Sequence, residues 1–519
     1  MLLNVSPSVL LWAILSLVIL HLVLNYFVIG VSKIPGPFPA KISNLYRLVN
    51  VSRGDNQVSL EKLHQKYGDN VRFGPRVVSI RNPKDVNQVY GIKSHYVKSP
   101  FYAVQQQMAN GKPTQTLFTT LNEDFHAKIK RPIASAYSMT TLQSYEPLVN
   151  RTIQCLFEQL DRRFASTGVS CPLFDWLQFY AFDVIGQVTC STSLGFVEQG
   201  RDIEGIMHTL GTSMDYHAVV GQVPWLDKVL KKNPVWAWFA SPTGPVASFA
   251  RDRLYVRLQE MKRSEGGGAA PGNGDFVDRF LQAKETHPAV VDDQQVFSYM
   301  VTNIFAGSDT TAISLRAIVY YTVKHPRVYA KLMEELIQAQ AEGRLSQLAT
   351  WRESQALPYF DSVVKESLRL HPAVGMILER IVPSEGLQLE CGTLLPAGTI
   401  VGASPWVLHR DQSVYGEDAA IFRPERWLPY MDEHDETYSE RLKSMNGNNL
   451  TFGKGHRTCI GKNISLLEIY KMLPSFFLKY DVSLVDPTAE WTLQNSWFVR
   501  QEGVEFYLRP RNQDLLNSM

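Results

Sequence analysis

Apolar positions form one uninterrupted stretch near the start of the chain and recur elsewhere at spacings typical of helices and strands. Residues 9–31 are 23 positions without a formal charge, and His21 and Asn25 are their only strongly polar side chains. That length is enough to cross a bilayer core of about 30 Å. A cleaved signal peptide is the alternative, but it needs a basic start, and residues 1–8 contain neither Lys nor Arg. The pattern therefore predicts an uncleaved transmembrane anchor over residues 9–31, preceded by a short lumenal tail.

The segment after this apolar stretch is rich in proline. Residues 32–40 contain Pro35, Pro37 and Pro39, which end a helix and stiffen the backbone, so we predict a hinge there. The first charged residues beyond the anchor are basic, and this excess predicts that the following residues lie on the cytosolic side of the membrane. Residues 41–519 are then expected to form one large cytosolic domain.

Most of that domain shows helical spacing. The longest predicted helix begins at the favourable caps Asp292 and Asp293 and ends at His325, which precedes a proline. Short β-branched runs on both sides of Gly74-Pro75 predict a hairpin. Further helices are predicted over residues 175–195, 359–371 and 464–477. The fold class is therefore predicted to be mainly α, with a small β region near the N-terminal side of the domain.

Composition narrows the class of protein. A chain that is 45% hydrophobic and 20% charged is typical of a globular protein. The net charge of +2 gives no sign of a polyanionic partner, so we expect no nucleic acid to bind. The five cysteines lack C-x-x-C or zinc-type spacing, which indicates free thiols in a reducing compartment. Cys459 is then expected to be an unpaired thiol that is available to react or to bind a metal.

Two stretches have an unusual composition. Residues 264–274 are rich in glycine and are predicted to be a flexible surface connection. Residues 207–239 are rich in Trp and Tyr, which favour membrane interfaces. They are therefore expected to be either ordinary core or a cap that dips into the membrane surface.

The candidate chemistry centres on the loop before the last predicted helix. Cys459 lies where that helix begins, so backbone N–H groups and the positive end of the helix dipole are expected to point at its sulfur. Such surroundings favour the thiolate, which is the form that binds metals. Glycines at positions 453 and 455 allow the backbone to approach a large flat group, and Arg457 has the fork geometry that holds a carboxylate. A buried cysteine in a Gly-rich turn is the alternative interpretation.

Two further polar clusters interrupt predicted helices. The run from Ala306 to Thr311 has poor helix propensity, which predicts either a local opening at Gly307 or a tolerated polar patch. Glu366 and Arg369 are three residues apart, so they share one helix face. By itself that spacing is typical of a weak surface ion pair.

The motif Phe-x-x-Gly-x-Arg-x-Cys-x-Gly, from Phe452 to Gly461, resembles the haem-ligand signature of the cytochrome P450 family. The run 306–311 resembles the family's oxygen-activation site, and Glu366 with Arg369 resembles its Glu-x-x-Arg pair, to which Arg426 adds a third partner. The resemblance covers residues 33–510 and implies a haem-thiolate fold with haem b as cofactor. It implies that Cys459 is the axial ligand of the iron and that Arg457 holds a propionate.

The same resemblance implies roles for the other residues. Phe452, Gly453 and Gly461 belong to the loop that carries the haem ligand. Gly307 is expected to make space for dioxygen, Thr310 to hydrogen-bond the oxygen or a nearby water, and Asp309 to relay protons. Glu366, Arg369 and Arg426 are implied to stabilise the fold and retain the haem rather than to take part in chemistry.

His126 and Lys130 are four residues apart and match positions where relatives hold a propionate, although many relatives have Arg where this chain has Lys130. An ordinary basic helix face is the alternative. Basic residues near Cys459 are either a solvated rim or a docking surface for an acidic electron donor: Lys454, His456, Arg457 and Lys462.

The resemblance also implies partners and a location. The chain has no Gly-x-Gly-x-x-Gly unit for flavin or nicotinamide, so electrons are expected from NADPH–cytochrome P450 reductase, with cytochrome b5 as a further donor. Residues 99–120, 373–378 and 496–499 are expected to line a pocket for an apolar substrate. An anchored member is expected in the endoplasmic reticulum membrane.

Residues 67–75 and 98–102 are similar to fungal microsomal members of the pisatin-demethylase type, which implies secondary metabolism. The leading hypothesis is a monooxygenase acting on a terpenoid, polyketide or alkaloid intermediate. The alternatives are a reductase-independent isomerase or dehydratase on the same fold, and a non-catalytic haem protein that binds ligands. The Asp309-Thr310 pair argues against the isomerase, because such a reaction needs no proton delivery.

Overall fold

The structure is a computed structural model that describes residues 6–92, 94–109, 112–233, 244–264 and 274–511. It is mainly helical with a small β region, as predicted. The helices are α1 Pro7–Tyr26, α2 Phe38–Ile42, α3 Leu45–Ser52, α4 Asn56–Tyr67, α5 Pro83–Tyr90, α6 Glu123–Lys130, α7 Met139–Gln143, α8 Glu146–Leu160, α9 Leu173–Cys190, α10 Phe196–Gln199, α11 Ile206–Val220, α12 Trp225–Leu230, α13 Pro245–Ser264, α14 Phe276–Thr286, α15 Asp293–Lys324, α16 Pro326–Ala341, α17 Trp351–Gln355, α18 Pro358–Leu370, α19 Pro405–Leu408, α20 Gln412–Tyr415, α21 Asp435–Gly447 and α22 Lys462–Lys479.

The strands are short. They are β1 Asn70–Gly74, β2 Val77–Ile80, β3 Val97–Lys98, β4 Met108–Ala109, β5 Lys112–Pro113, β6 Arg380–Ile381, β7 Leu387–Gln388, β8 Leu394–Leu395, β9 Ile400–Gly402, β10 Tyr480–Leu484, β11 Thr492–Ser496, β12 Phe498–Glu502 and β13 Phe506–Pro510. The largest sheet has the order β1-β2-β9-β6-β3, and the others are two-stranded.

The predicted hairpin is confirmed, since β1 and β2 pair antiparallel around the turn at Gly74. The sheet that it begins is not confined to the N-terminal side of the domain. β9 joins β2 in parallel, and β6 pairs with β9, so residues more than three hundred positions later complete the sheet. β6 and β9 are too short to show a strand pattern in the sequence.

The long helix α15 runs through the centre of the domain. The Asp292 side chain caps it by accepting a hydrogen bond from the Gln295 N–H at 2.8 Å, and His325 ends it, so both predicted limits are confirmed. Helices α9, α18 and α22 pack against α15 on different sides. The main hydrophobic core fills the spaces between these helices. The middle of α15 therefore lies inside the domain.

Helix α1 is, within the described residues, the one helix long and apolar enough to cross a membrane. It ends at Tyr26, five residues before the predicted end of the anchor, because the chain then turns onto the body. Val31 and Ile34 are buried in a core cluster under the largest sheet. Val31 and Ile34 therefore pack with the domain, whereas Phe27 and Ile29 between α1 and them stay exposed.

The predicted proline hinge is also packed against the body. The buried guanidinium of Arg72 donates to the backbone carbonyls of Asn25 at 2.5 Å, Tyr26 at 3.0 Å and Pro75 at 2.9 Å. The Arg72 backbone N–H donates to the Pro35 carbonyl at 2.7 Å. One arginine of β1 thus satisfies carbonyls at the end of α1, which a helix cannot satisfy internally.

The two stretches of unusual composition are described only in part. Residues 207–233 form α11, α12 and the turns beside them, whereas 234–239 lie outside the described residues. Most of the predicted flexible connection, residues 265–273, also lies outside them.

Candidate active site

The loop before α22 is shaped by its glycines. Gly453 and Gly455 have φ angles of 68° and 70°, which a residue with a side chain rarely adopts. A Cβ on Gly455 would lie 2.4 Å from the backbone oxygen of Tyr90, so only glycine fits there. The turn brings the Cys459 N–H back to the Phe452 carbonyl at 2.8 Å. The loop therefore presents the cysteine in one defined backbone position.

The sulfur of Cys459 faces the start of α22. Burial raises the pKa of its thiol, while hydrogen bonds from the Gly461 and Lys462 backbone N–H groups and the nearby charge of Lys130 lower it in part. The predicted N–H groups are therefore present, but burial outweighs them and the pKa lies above its ordinary value. This direction is opposite to the lowering expected from the helix N-terminus; a coordinated metal ion would favour the thiolate.

The surroundings of Cys459 indicate an open space beside its side chain. Its side chain is exposed, yet burial dominates the shift of its pKa, a combination expected for a group that faces enclosed space. Ala306 is likewise exposed and Thr310 is partly exposed, although both lie in the middle of the central helix α15. The Thr311 hydroxyl donates to the Ser465 hydroxyl at 3.0 Å and ties α15 to α22. The cysteine loop and the middle of α15 are thus held on two sides of this space.

The acid and alcohol of α15 have different partners. The Thr310 hydroxyl donates to the Ala306 carbonyl at 2.8 Å, and α15 remains a continuous α-helix without the predicted opening at Gly307. A Cβ on Gly307 would lie 2.8 Å from Ile185 of α9. Gly307 therefore lets α9 and α15 approach closely, and its expected role of making space for dioxygen stays a prediction. The exposed surface next to Thr310 belongs to Ala306.

Asp309 is buried against α9. Its carboxylate accepts a hydrogen bond from the Gln178 side-chain N–H at 2.7 Å, and the Gln178 oxygen accepts one from the Arg316 guanidinium at 2.5 Å. Burial raises the pKa of Asp309, although the Gln178 hydrogen bond and the Arg316 charge oppose that shift. The carboxyl group therefore holds its proton to a higher pH than an ordinary aspartate does. Gln178 was missed in the sequence because it lies more than a hundred residues away.

A group of cations lies beside the cysteine loop. Arg457 donates through Nε and Nη2 to the Glu123 carboxylate, each at 2.8 Å. The Lys130 ammonium donates to the His456 carbonyl at 3.0 Å. Burial and the charges of Arg457 and Lys130 lower the pKa of His126 to about 3. The structure thus brings together the three predicted residues, His126, Lys130 and Arg457, and adds Glu123 as the partner of the arginine.

Lys98 is a member of this group that the sequence did not single out. Its buried ammonium donates to the Phe118 carbonyl at 2.5 Å and lies 4.0 Å from the centre of the Phe118 ring. Burial and the charges of Arg380 and Arg457 lower its pKa. The sequence did contain a signal, because Lys98 lies among the apolar residues Tyr96, Val97 and Phe101. A lysine is seldom fully buried without a partner, so this position predicts that Lys98 has one. In this group the positive charges outnumber the carboxylate of Glu123.

Glu366, Arg369 and Arg426 form a buried ion cluster instead of a surface pair. The Glu366 carboxylate accepts from Arg369 at 2.7 and 2.8 Å and from Arg426 at 2.8 Å. Burial would raise the pKa of Glu366, but the hydrogen bonds and charges of Arg369 and Arg426 outweigh it and lower the pKa. Replacing one partner in such a cluster leaves an unpaired buried charge, which lowers the free energy of unfolding by about 3–5 kcal/mol.

Three segments predicted to line a pocket meet in one apolar cluster. Phe305, next to Ala306 on α15, packs in this cluster with residues of all three. The members from those segments are Phe101, Tyr102, Phe118, Val374, Met376, Leu378, Trp497 and Phe498. Aromatic and aliphatic side chains are therefore packed next to the middle of α15.

The sequence model of the cytochrome P450 family matches residues 35–508. The chain is a cytochrome P450. Among its relatives, a cytochrome P450 monooxygenase of Aspergillus terreus is 40% identical over 481 residues, which are 92% of this chain and 96% of the relative. The monooxygenase cicH of Emericella nidulans is also 40% identical, over 93% of this chain and 94% of cicH. The monooxygenase mpaDE of Penicillium roqueforti is 38% identical over 92% of this chain but only 55% of mpaDE.

Cytochromes P450 use haem b, whose iron is held by a cysteine thiolate and whose edge carries two carboxylates. The residues of this cytochrome P450 fit that cofactor. Cys459 supplies an exposed thiol, and the cations Lys98, Lys130 and Arg457 beside it outnumber the one carboxylate of Glu123. Carboxylates of a bound group would offset that excess of positive charge.

Proposed function

We propose that this cytochrome P450 monooxygenase oxidises an apolar intermediate of a fungal secondary-metabolite pathway. Electrons come from NADPH through cytochrome P450 reductase, with cytochrome b5 as an additional donor. The observation that carries the proposal is the apolar cluster around Phe305, directly beside the exposed Ala306 and Thr310. An apolar substrate gains free energy by leaving water for such a cluster. The relatives cicH and mpaDE are cytochrome P450 monooxygenases of fungi, which supports the reaction class and the fungal setting.

Each residue of the site has a proposed role toward the cofactor. Cys459 would bind the iron, within the loop formed by Phe452, Gly453 and Gly461. Lys130, His126 and Lys98 would hold the carboxylates of the haem. When bound, haem b supplies the redox-active iron at which dioxygen is activated.

Arg457 has a less direct role than the resemblance implied. Its guanidinium is already occupied by Glu123 and by the Leu117 and Thr120 carbonyls. We assign it to holding the segment 117–123 against the cysteine loop. A haem carboxylate could still approach it, since a guanidinium has five donors.

Asp309 and Thr310 have separate roles in proton transfer. Thr310 carries a hydroxyl at the cavity surface, where it orients a water or an oxygen atom. Burial raises the pKa of Asp309, so its carboxyl group holds a proton to a higher pH than an ordinary aspartate does, and Gln178 fixes the orientation of that group. Two protons per turnover are needed to release one oxygen atom of dioxygen as water.

The protein is proposed to reside in the endoplasmic reticulum membrane, anchored by α1, with its catalytic domain in the cytosol. The apolar α1 and the basic residues after it support this topology. Among the basic residues proposed to meet the reductase, Lys462 is exposed, whereas the Arg457 side chain is buried. The reductase surface therefore depends on Lys454, His456 and Lys462 rather than on Arg457.

The test uses the full-length holoprotein with reductase in vesicles and a panel of apolar pathway intermediates. We expect substrate-dependent NADPH oxidation and a product heavier by one oxygen atom from labelled dioxygen. Cys459→Ala should abolish the red-shifted Soret band of the reduced carbon monoxide complex. Product formed without NADPH would favour the isomerase or dehydratase. Ligand binding without turnover would favour the non-catalytic haem protein.

A further inference from the structure

The buried cluster of Glu366, Arg369 and Arg426 acts on a different segment from the cysteine loop. Arg369 donates to the carbonyls of His409 and Ala419, each at 2.6 Å, and Arg426 donates to those of Asp418 and Ile421. These bonds fix the segment from His409 to Arg426. A further connection is needed before the cluster can influence the position of Cys459.

His409 makes that connection. Its Nδ1 lies 2.9 Å from the Arg369 carbonyl oxygen, and the Leu450 backbone N–H donates to its Nε2 at 2.8 Å. A carbonyl only accepts and a backbone N–H only donates, so His409 is neutral and carries its proton on Nδ1. The ring is fully buried. Both ring nitrogens thus make a hydrogen bond, Nδ1 to Arg369 of α18 and Nε2 to Leu450, which precedes the cysteine loop.

Further hydrogen bonds strengthen the contact between α18, His409 and the segment Leu450-Thr451. The Arg369 guanidinium holds the His409 carbonyl while the His409 ring holds the Arg369 carbonyl. The Thr451 hydroxyl donates to the Leu368 carbonyl at 3.1 Å. The last turn of α18 has carbonyls that its own helix cannot satisfy. Two of them, on Leu368 and Arg369, therefore dock the segment Leu450-Thr451.

Two backbone hydrogen bonds continue from Leu450 to the cysteine. The Leu450 carbonyl accepts from the Gly453 N–H at 2.9 Å, and the Phe452 carbonyl accepts from the Cys459 N–H at 2.8 Å. We propose that His409 is a positioning residue that transmits the rigidity of the buried ion cluster to the cysteine loop and thereby keeps the Cys459 sulfur in place for the haem iron. This inference rests on the proposed role of Cys459 as the haem ligand.

The two halves of the link can be separated by substitution. His409→Gln places an amide near the position of Nε2, so it keeps an acceptor for the Leu450 N–H. His409→Asn places an amide near the position of Nδ1, so it keeps only the donor to the Arg369 carbonyl. His409→Phe removes both. His371 is a matched control, because it is also a fully buried neutral histidine but its ring contacts the Val499 carbonyl instead.

Full-length holoproteins are compared by the fraction of the reduced carbon monoxide complex that shows the thiolate-ligated Soret band, by haem content, and by circular dichroism with thermal unfolding. We expect His409→Asn and His409→Phe to lower the ratio of thiolate- to thiol-ligated forms by about tenfold, because a buried N–H is left unsatisfied. His409→Gln and His371→Gln should keep the wild-type ratio.

Equal ratios in the Gln and Asn variants of His409, or a higher ratio in Asn, would overturn the proposal. Should His409→Phe fail to fold, the Gln and Asn pair still decides the question. Absence of the thiolate band in the wild-type protein would instead refute the assignment of Cys459, so the two failures are distinguishable.

Discussion

Asp309 and Thr310 are adjacent in the sequence but face different surroundings. The Asp309 carboxylate is buried against Gln178 on α9, while Thr310 is partly exposed beside Ala306. On a helix, neighbouring residues point about 100° apart, so one turn of α15 serves both the cavity and the packed interior. The two residues should therefore give different phenotypes when they are changed.

Thr310→Ala removes the hydroxyl at the cavity surface and leaves the fold unchanged, since its hydroxyl is bonded only within the helix, to the Ala306 carbonyl. We expect the thiolate–carbon monoxide band to persist while product per NADPH falls about tenfold or more and peroxide rises, as for loss of a proton-transfer group. Thr322→Ala is the control, because the Thr322 hydroxyl makes the same type of bond, to the Ile318 carbonyl, near the end of α15. Unchanged coupling in Thr310→Ala would contradict the assignment.

The hydrogen bond from Gln178 sets the pH at which Asp309 gives up its proton. Burial raises the pKa of Asp309, and the Gln178 bond to the carboxylate partly offsets this rise. Gln178→Leu should therefore raise that pKa further, so that the acid form persists to higher pH. Product per NADPH, measured against pH, should therefore fall off at a higher pH than in the wild-type protein. A fall at a lower pH, or at the same pH, in Gln178→Leu would show that Asp309 does not control proton supply.

The sequence identified residues whose neighbours in the chain form a motif, and it missed those whose partners are distant. The Cys459 loop and the Asp309-Thr310 pair are local patterns. Gln178, Lys98 and His409 acquire their roles from partners that lie 131, 20 and 40 residues away in the chain, so no short motif contains both members of a pair. The same limit explains Gly307, whose close contact with Ile185 depends on how α9 packs.

At the scale of elements, helices and the hairpin were predictable because their signals are local. Caps, proline stops and apolar spacing located α15 and α18 closely. The strands β6 and β9 are only two and three residues long, so their pairing follows from tertiary structure rather than from β propensity. The attachment of α1 was likewise unpredictable, because it depends on one buried arginine in β1.

Arg72→Ala should loosen the joint between α1 and the body. The carbonyls of Asn25, Tyr26 and Pro75 would lose a charged donor, and each such bond contributes about 1.5–3 kcal/mol. We expect faster proteolysis within residues 27–37 in vesicle-bound protein and a lower unfolding temperature. Arg76→Ala, which changes an exposed arginine in the same hairpin, is the control. Equal cleavage rates in the two variants would show that Arg72 does not hold the joint.

At the scale of the whole molecule, α1 is not the only apolar surface. Exposed apolar side chains also occur on the body near it, on α2 and α3 at Phe38, Leu45 and Val49. Helix α3 packs on α11, and α12 follows α11 in the chain with Trp225 and Val229 exposed. These residues add exposed apolar surface on helices that contact one another in the series α1, α2, α3 and α11, or that follow α11, as expected for a body that rests on a bilayer.

A chain lacking residues 1–26 tests whether this surface binds membrane by itself. The deletion should end at Tyr26, because Val31 and Ile34 are core residues that the domain needs. We expect the truncated holoprotein to remain on neutral vesicles in high salt, since apolar burial is not screened by ions. Adding Leu45→Ser, Val49→Ser and Trp225→Ser should release it, whereas serine at exposed Ile421 and Val485 should not, because these lie on segments remote in sequence from α2, α3 and α12. Full release of the truncated chain without these substitutions would assign membrane binding to α1 alone.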